Sequence, residues 1–434
     1  MHRTAFTWWA LVGGAGLLVG IASCTDPTAP SPSQNNSVQP YNHDLTFMRH
    51  VDQPISEGTV DNILAEAGGL LASVDTDCPD VYCPATFTRT GGIGVFSEGS
   101  TVLTSEQQLD TVFNVNGDFK IVTFMVGVCG APSGSDPAVV LGCAATAASV
   151  VIVYDAPTDV WAHEWGHVQG LPHRNDCDRN LMHAYELQTN AVNTTERDAF
   201  LSRTPGSAFI NLRLSDESPC DECVDNLQEA PLTERVQRLI APRYLQGIPA
   251  DTLADVPADE RTDALLAAWA QGIPAVQRAN LTRLLGYTQD PRAVAAVAGW
   301  LAARSGEIST DELAAQSECL LALGRLAAVD TDGTAVAALI AGTASDTWTQ
   351  RDLALPDADG SVHSAGAALA RISVLALGIS GVPEARAHLV ALQAAARTQR
   401  PADAWFGPQV DEALARFDGD LARLRPAGRL PRQP

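Results

Sequence analysis

The sequence predicts an α+β protein in two parts, a mixed twisted sheet that presents one functional helix, followed by an all-α half. Three observations carry that expectation. Residues 150–154, VVIVY, have the composition of a buried strand, and helical spacing begins within a few residues of their end. Residues 119–128, FKIVTFMVGV, read as a central strand, and 85–96 as another. From about Glu234 onward strand signals fade, and leucine and alanine recur at helical intervals.

The length of 434 residues suits two domains plus targeting sequence. With 46% hydrophobic and 18% charged residues, the mature chain is globular rather than disordered. A net charge of −23 argues against nucleic acid as a partner, since phosphate binding needs clustered lysine and arginine. Lys120 is the one lysine; arginine supplies the rest of the positive charge.

Taken in order, residues 1–24 read as an export signal. Arg3 gives a basic start, and an apolar run through Trp8, Trp9, Leu17, Leu18 and Ile21 follows. Ile21-Ala22-Ser23-Cys24 resembles a bacterial lipobox, which implies a lipid-modified Cys24 and a membrane anchor. Thr25 stands where an inner-membrane retention signal would place aspartate, so the outer membrane or cell surface is the expected destination. Residues 25–58 form the expected linker and N-terminal segment; 26–40, rich in proline and small polar residues, read as a flexible tether. His43 and His50 are candidate metal contacts of a latent form, against the commoner reading as surface histidines.

The expected catalytic domain spans residues 59–225. Val60, Ile63, Leu64, Ala67, Leu70 and Leu71 are spaced as one face of a helix packed on the sheet. Thr158 is the expected N-cap of the functional helix, residues 159–169. On it, His163 and His167 lie four residues apart and point the same way, with Glu164 beside them. Gly170 accepts a positive φ and lets the chain turn back, which makes His173 a third ligand. Three imidazoles on Zn²⁺ leave one position for water, whose pKa falls to about 7, and Glu164 can take its proton. The implied chemistry is peptide-bond hydrolysis.

The stretch HEWGHVQGLPH, together with Met182 in NLMHAY nine residues later, resembles the zinc signature and methionine turn of the metzincin metallopeptidases. The short interval is similar to that of matrixin-type members, and the resemblance covers roughly residues 60–205. It implies a metzincin-like sheet, Zn²⁺ on His163, His167 and His173, Glu164 as general base and later proton donor, and Met182 as the floor beneath the metal. It also implies that residues 140–150 form the rim on which an extended protein or peptide substrate lies by strand addition. Tyr185 stands three residues after Met182, not two, so it is not expected to bind zinc.

Residues 194–202 read as the closing helix, with Thr195 and Asp198 spaced as a capping box. Nine cysteines in an exported chain point to disulfides, and proximity favours Cys78 with Cys83 and Cys129 with Cys143. Cys177 has Cys220 or Cys223 as its expected partner; CDEC also resembles a redox or zinc half-motif. Cys319, among leucines, reads as core.

In the second half, residues 230–425, three related stretches begin at Leu281, Cys319 and Ser373, with Gly286, Gly324 and Gly378 in equivalent places. They resemble HEAT-like repeats, which bury their apolar faces by stacking and present a broad face to a protein partner; an irregular bundle is the alternative. Asp330-Thr-Asp332-Gly333 and Asp357-Ala-Asp359-Gly360 lack the carboxylates of an EF-hand loop and read as turns. The expected whole is an exported, lipid-anchored zinc endopeptidase. Its rivals are a non-catalytic surface lipoprotein that binds a partner through its repeats, and a zinc amidase acting on cell-wall peptides.

Overall fold

The computed structural model describes residues 39–433 apart from 74–80, 130–136, 146–148, 175–179, 184–190, 203–229, 246, 357–361, 399–402 and 420–431. Cys24 and the expected export signal lie outside the described residues, as do Cys78, Cys177, Cys220, Cys223, Tyr185 and the expected turn at 357–360. Among the described residues no helix is long and apolar enough to cross a membrane.

In chain order, strands β1 (Tyr41–Leu45) and β2 (Phe47–His50) precede helix α1 (Glu57–Ala72). Strands β3 (Ala85–Arg89), β4 (Gly94–Phe96) and β5 (Val102–Leu103) lead to α2 (Glu106–Phe113). Strands β6 (Phe119–Val122), β7 (Phe124–Val126), β8 (Val139–Val140), β9 (Gly142–Ala145) and β10 (Ser149–Val153) lead to α3 (Thr158–Val168), and α4 (Thr194–Phe200) follows.

Residues 41–50, expected within the linker, form β1 and β2 instead. β2 sits in the main sheet between β6 and β4, parallel to both. The reason is its apolar content: Phe47 stacks on Phe119 with ring centroids 5.1 Å apart, inside the core under α3. The stretch expected as one strand at 119–128 breaks at Thr123. β6 stays in the main sheet, while β7 joins β5 and β8 in a second, three-stranded sheet.

The main sheet is mixed. β10 runs parallel to β6, and β9 antiparallel to β10. Its central strands are buried on both faces, as their alternation shows: Val150 and Ile152 face α1 and α3, whereas Val151 and Val153 face α2. α1 starts at Ser56, whose hydroxyl accepts the Thr59 amide, and buries Val60, Leu64, Ala67 and Leu71 as the helical spacing predicts.

The helical half comprises α5 (Leu232–Ile240), α6 (Arg261–Trp269), α7 (Ala275–Tyr287), α8 (Arg292–Ala302), α9 (Thr310–Leu326), α10 (Thr334–Gly342) and the short α11 (Ser345–Thr349). A hairpin, β11 (Ala354–Pro356) with β12 (Val362–Ser364), lies between α11 and the next helix. Then come α12 (Gly366–Ile379), α13 (Pro383–Thr398) and α14 (Phe406–Phe417), and a short strand β13 (Arg432–Gln433).

The inner helices stack in the order α7, α9, α12, α14, with α8, α10 and α13 outside them. The three equivalent glycines explain how closely they stack. A Cβ on Gly286 would lie 3.0 Å from Ala322 Cα, one on Gly324 2.5 Å from Ala376 O, and one on Gly378 2.7 Å from Ala413 O. Each glycine admits the next inner helix to backbone contact. Cys319 is fully buried among them, 3.8 Å from the Thr282 hydroxyl. At Asp330 the carboxylate accepts the amides of Asp332 and Ala335, so this acidic pair closes a turn at the start of α10.

The helical half, expected as a separate domain, shares a core with the sheets: Phe124 and Val126 of β7 belong to the cluster of Leu284, Leu320 and Leu375. Polar contacts reinforce it. Arg283 and Arg325 donate to Pro137 O at 3.0 and 2.9 Å, and Glu318 accepts the Val139 amide at 3.1 Å. Arg371 donates to Val102 O, Arg416 to Gly127 O, and Glu412 accepts the Glu106 amide at the start of α2.

Candidate metal centre

The position of the centre begins with two tryptophans. Trp161 and Trp165 lie four residues apart on α3 and stack against Phe119 of β6, at 5.4 and 5.8 Å between ring centroids. They fix one face of the helix on the sheet; losing Trp161 would cost about 3–5 kcal/mol. His163 and His167 each lie two residues further on, about 200° around the helix, so they point away from the sheet.

α3 begins one residue earlier than expected, with Pro157 rather than Thr158 at the cap. The Thr158 hydroxyl donates instead to Glu66 of α1 at 2.9 Å. The other end behaves as the glycine predicts. Gly170 has φ +95°, the Leu171 amide bonds back to Gly166 O, and the Gly170 amide to His167 O. This paired closure reverses the chain and returns His173 to the histidines of the helix.

The three imidazoles meet, with one ring nitrogen from each within 4.8 Å of the others. His167 Nε2 and His173 Nε2 are 3.0 Å apart. A tetrahedral ion with bonds of about 2.0–2.1 Å spaces its ligand atoms about 3.4 Å apart, which lies inside that range. The other ring nitrogens are engaged: His163 Nδ1 donates to Leu181 O and His167 Nδ1 to Leu171 O, both at 2.7 Å. Those bonds fix the tautomer and leave each Nε2 lone pair for a metal. His163 Nε2 is buried without a hydrogen-bond partner, so its lone pair fits a metal-ligand role. Burial, with the neighbouring histidines next, lowers all three pKa values, to about 3 for His167 and His173, so the rings are neutral.

Glu164 is 2% exposed, and its Oε2 also lacks a partner. Burial pushes its carboxyl up to about 8. It lies against β9, where a Cβ on Gly142 would stand 2.5 Å from Glu164 Cγ and 2.6 Å from Oε1. Beneath the helix, Met182 is fully buried, and its sulfur would lie 2.5 Å from a Cβ on Gly166. The methionine turn is held from both sides: Leu181 O receives His163, and Met182 O accepts the Arg174 amide at 2.8 Å.

α4 closes the turn differently from the expectation. Its capping box is Asn193 with Glu196, in place of Thr195 with Asp198. Glu196 then also receives the Arg174 guanidinium at 2.9 and 3.1 Å, tying the chain after His173 to α4. That link was not foreseen. Nor was His183, buried beside the centre and acting electrostatically on His163 and His173. Four of the chain's nine histidines fall within residues 163–183, a density that marks His183 in the sequence.

The remaining histidine candidates lie elsewhere. His43 donates to Phe200 O at 2.6 Å and stacks on Phe87, and His50 sits beside Asp52 and Phe96. Neither belongs to the cluster found among the described residues. The disulfide Cys129–Cys143 forms as chain proximity predicts and ties β9 to the end of β7. No protein-family model, curated protein or solved structure matches the chain.

Proposed function

We propose that the chain is a zinc endopeptidase of the metzincin type, exported and lipid-anchored through Cys24, whose helical half is a HEAT-like stack. The observation that supports it most is the convergence of His163, His167 and His173 on one point, with the unpartnered Glu164 carboxylate beside it and Met182 beneath. Zinc held there would polarise a scissile carbonyl and bring the pKa of a water to about 7.

The chain's own residues do the rest. The Nδ1 bonds to Leu171 O and Leu181 O hold His167 and His163 in register. The charge of a bound zinc beside it would oppose the effect of burial and ionise the Glu164 carboxyl, which could then take a proton from the attacking water and return it to the leaving nitrogen. Glu164 packs on Gly142 of β9, so a peptide laid as an extended strand beside that residue would bring its backbone to the reacting groups. The helical half packs on β7 and leaves α8, α10 and α13 as the face open to a protein partner.

The test is Glu164→Gln. Hydrolysis of a mixed peptide library should fall by about 10²–10⁴-fold with zinc content unchanged. Normal turnover by that variant would overturn the reading, and zinc binding without hydrolysis by either form would favour a non-catalytic metal protein.

A further inference from the structure

Between the sheets and the helical half lies a cavity of about 1260 Å³, lined by none of the residues of the metal centre. One wall is His50, at the end of β2, with Ser97 and residues 99–102; the other comes from α10, α12, α13 and the start of α14. The helical half holds the first wall in place. The Trp405 indole donates to Gly99 O and Arg371 Nη2 to Val102 O, both at 3.2 Å. Exposed Ala341, Ala344 and Ala367 line the side open to solvent.

Two buried donors of this lining have nothing to donate to. Arg371 is 4% exposed; its Nη1 meets Asp403 at 2.7 Å and its Nη2 also lies 3.4 Å from Ser100 Oγ, yet its Nε is buried without a partner. His50, equally buried, accepts the Asp52 amide on Nδ1 at 3.2 Å, so its proton sits on Nε2, which has no partner either. Burial outweighs the nearby Asp52 and Glu98 and holds this ring below its ordinary pKa, hence neutral. Unpaired buried donors are costly, and an acceptor in the cavity would satisfy them. His388 supplies the opposite group. The Thr343 hydroxyl donates to Ile340 O and so accepts from His388 Nε2 at 3.0 Å, which leaves His388 Nδ1 as an acceptor.

Leu313, Ile340, Leu355, Leu392 and Phe406 add apolar surface around the same space. The charges select against an anion, because Arg371 is already offset by Asp403 while Asp52 and Asp346 add negative charge. The volume also exceeds the roughly 300–1,000 Å³ of ordinary small-molecule sites. Carbonyl acceptors, amide donors and apolar side chains carried along one uncharged backbone are the properties of a peptide.

We propose that this cavity is a second binding site, separate from the metal centre, for a peptide segment with apolar side chains and no acidic ones. Such binding does not depend on the peptidase reading.

The test uses the zinc-loaded full chain carrying Glu164→Gln, so that peptides stay intact. The probes are capped peptides of alanine, leucine and phenylalanine, either uncharged or with one arginine or one glutamate, each bearing a fluorophore and a photoreactive benzophenone. Fluorescence anisotropy should show saturable binding of the uncharged and arginine peptides, and binding of the glutamate peptides weaker by about tenfold or more. Crosslinks should fall on residues 97–102 or 340–347. Ala367→Trp, at an exposed position of the lining, should fill the cavity and weaken binding by about tenfold or more, with zinc content unchanged. His50→Phe keeps an aromatic ring beside Phe96 but removes the donor, and should weaken binding by about threefold to tenfold. Ala341→Trp serves if Ala367→Trp does not fold. Absence of saturable binding would overturn the proposal, as would binding indifferent to the tryptophan variants, crosslinks confined to other residues, or glutamate peptides that bind as well as the rest.

Discussion

At the interface between sheet and helices, Arg283, Arg325 and Glu318 are as deeply buried as His163 and Glu164 at the metal centre, yet the two clusters end differently. In the first, opposite charges face one another. Arg283 Nη1 meets Glu318 Oε1 at 3.2 Å, Arg325 Nη1 faces Glu318 Oε2 at 3.6 Å, and both arginines reach Pro137 O. The second leaves His163 Nε2 and Glu164 Oε2, on successive residues of α3, without hydrogen-bond partners. The first cluster offsets its buried charges by pairing them, whereas burial alone shifts the Glu164 carboxyl, the pattern expected of a candidate functional group.

Substitutions should sharpen that contrast. The largest effect expected is at Glu164, where Gln costs about 10²–10⁴-fold in kcat without loss of stability. Gly142→Ala should act in the same direction with zinc retained, because the new methyl group displaces the Glu164 side chain; kinetics beside metal analysis will show it. Glu318→Ala should do the opposite. It leaves two buried guanidinium groups unopposed and should destabilise by about 3–5 kcal/mol in denaturant unfolding, with zinc affinity of the folded form unchanged.

Lys120 offers a pH test away from both clusters. Burial draws its ammonium down from 10.5 to about 8, with Asp118 opposing. Below pH 8 the folded chain holds a buried charge. As pH rises from 8 to 10.5 the folded state releases that proton while the unfolded state keeps it, so stability increases. Lys120→Met should remove this rise, a change of up to about 3 kcal/mol measured against pH. Smaller still, Gly324→Ala should cost about 1–3 kcal/mol through its clash with Ala376 O, and Gly286→Ala less, because Ala322 is further away.

The histidine cluster was legible in the sequence because its parts are close in the chain. The helix period places His163 and His167, one glycine returns His173, and Met182 follows within a short turn. What supports the centre was hidden because it comes from far away. Gly142 reads as an unremarkable residue until β9 brings it against Glu164, and Glu196 until it meets Arg174. The α+β class and the stacked helices followed from periodicity, and Gly286, Gly324 and Gly378 marked the close approaches. β1 and β2 were missed because YNHDL and FMRH are short, and their few apolar residues do not stand out after a proline-rich stretch. The shared core was missed for a related reason, since arginines that bond to Pro137 and Val102 look in sequence like ordinary helix-surface charges.

The most direct measurement is zinc stoichiometry and X-ray absorption of the purified chain, taken with hydrolysis by the same chain and by its Glu164→Gln variant. The account predicts one zinc per chain with three imidazole nitrogens, lost in His163→Ala and His167→Ala, and cleavage that disappears with Glu164. A chain that binds no zinc, or one whose cleavage survives the glutamine, would contradict it.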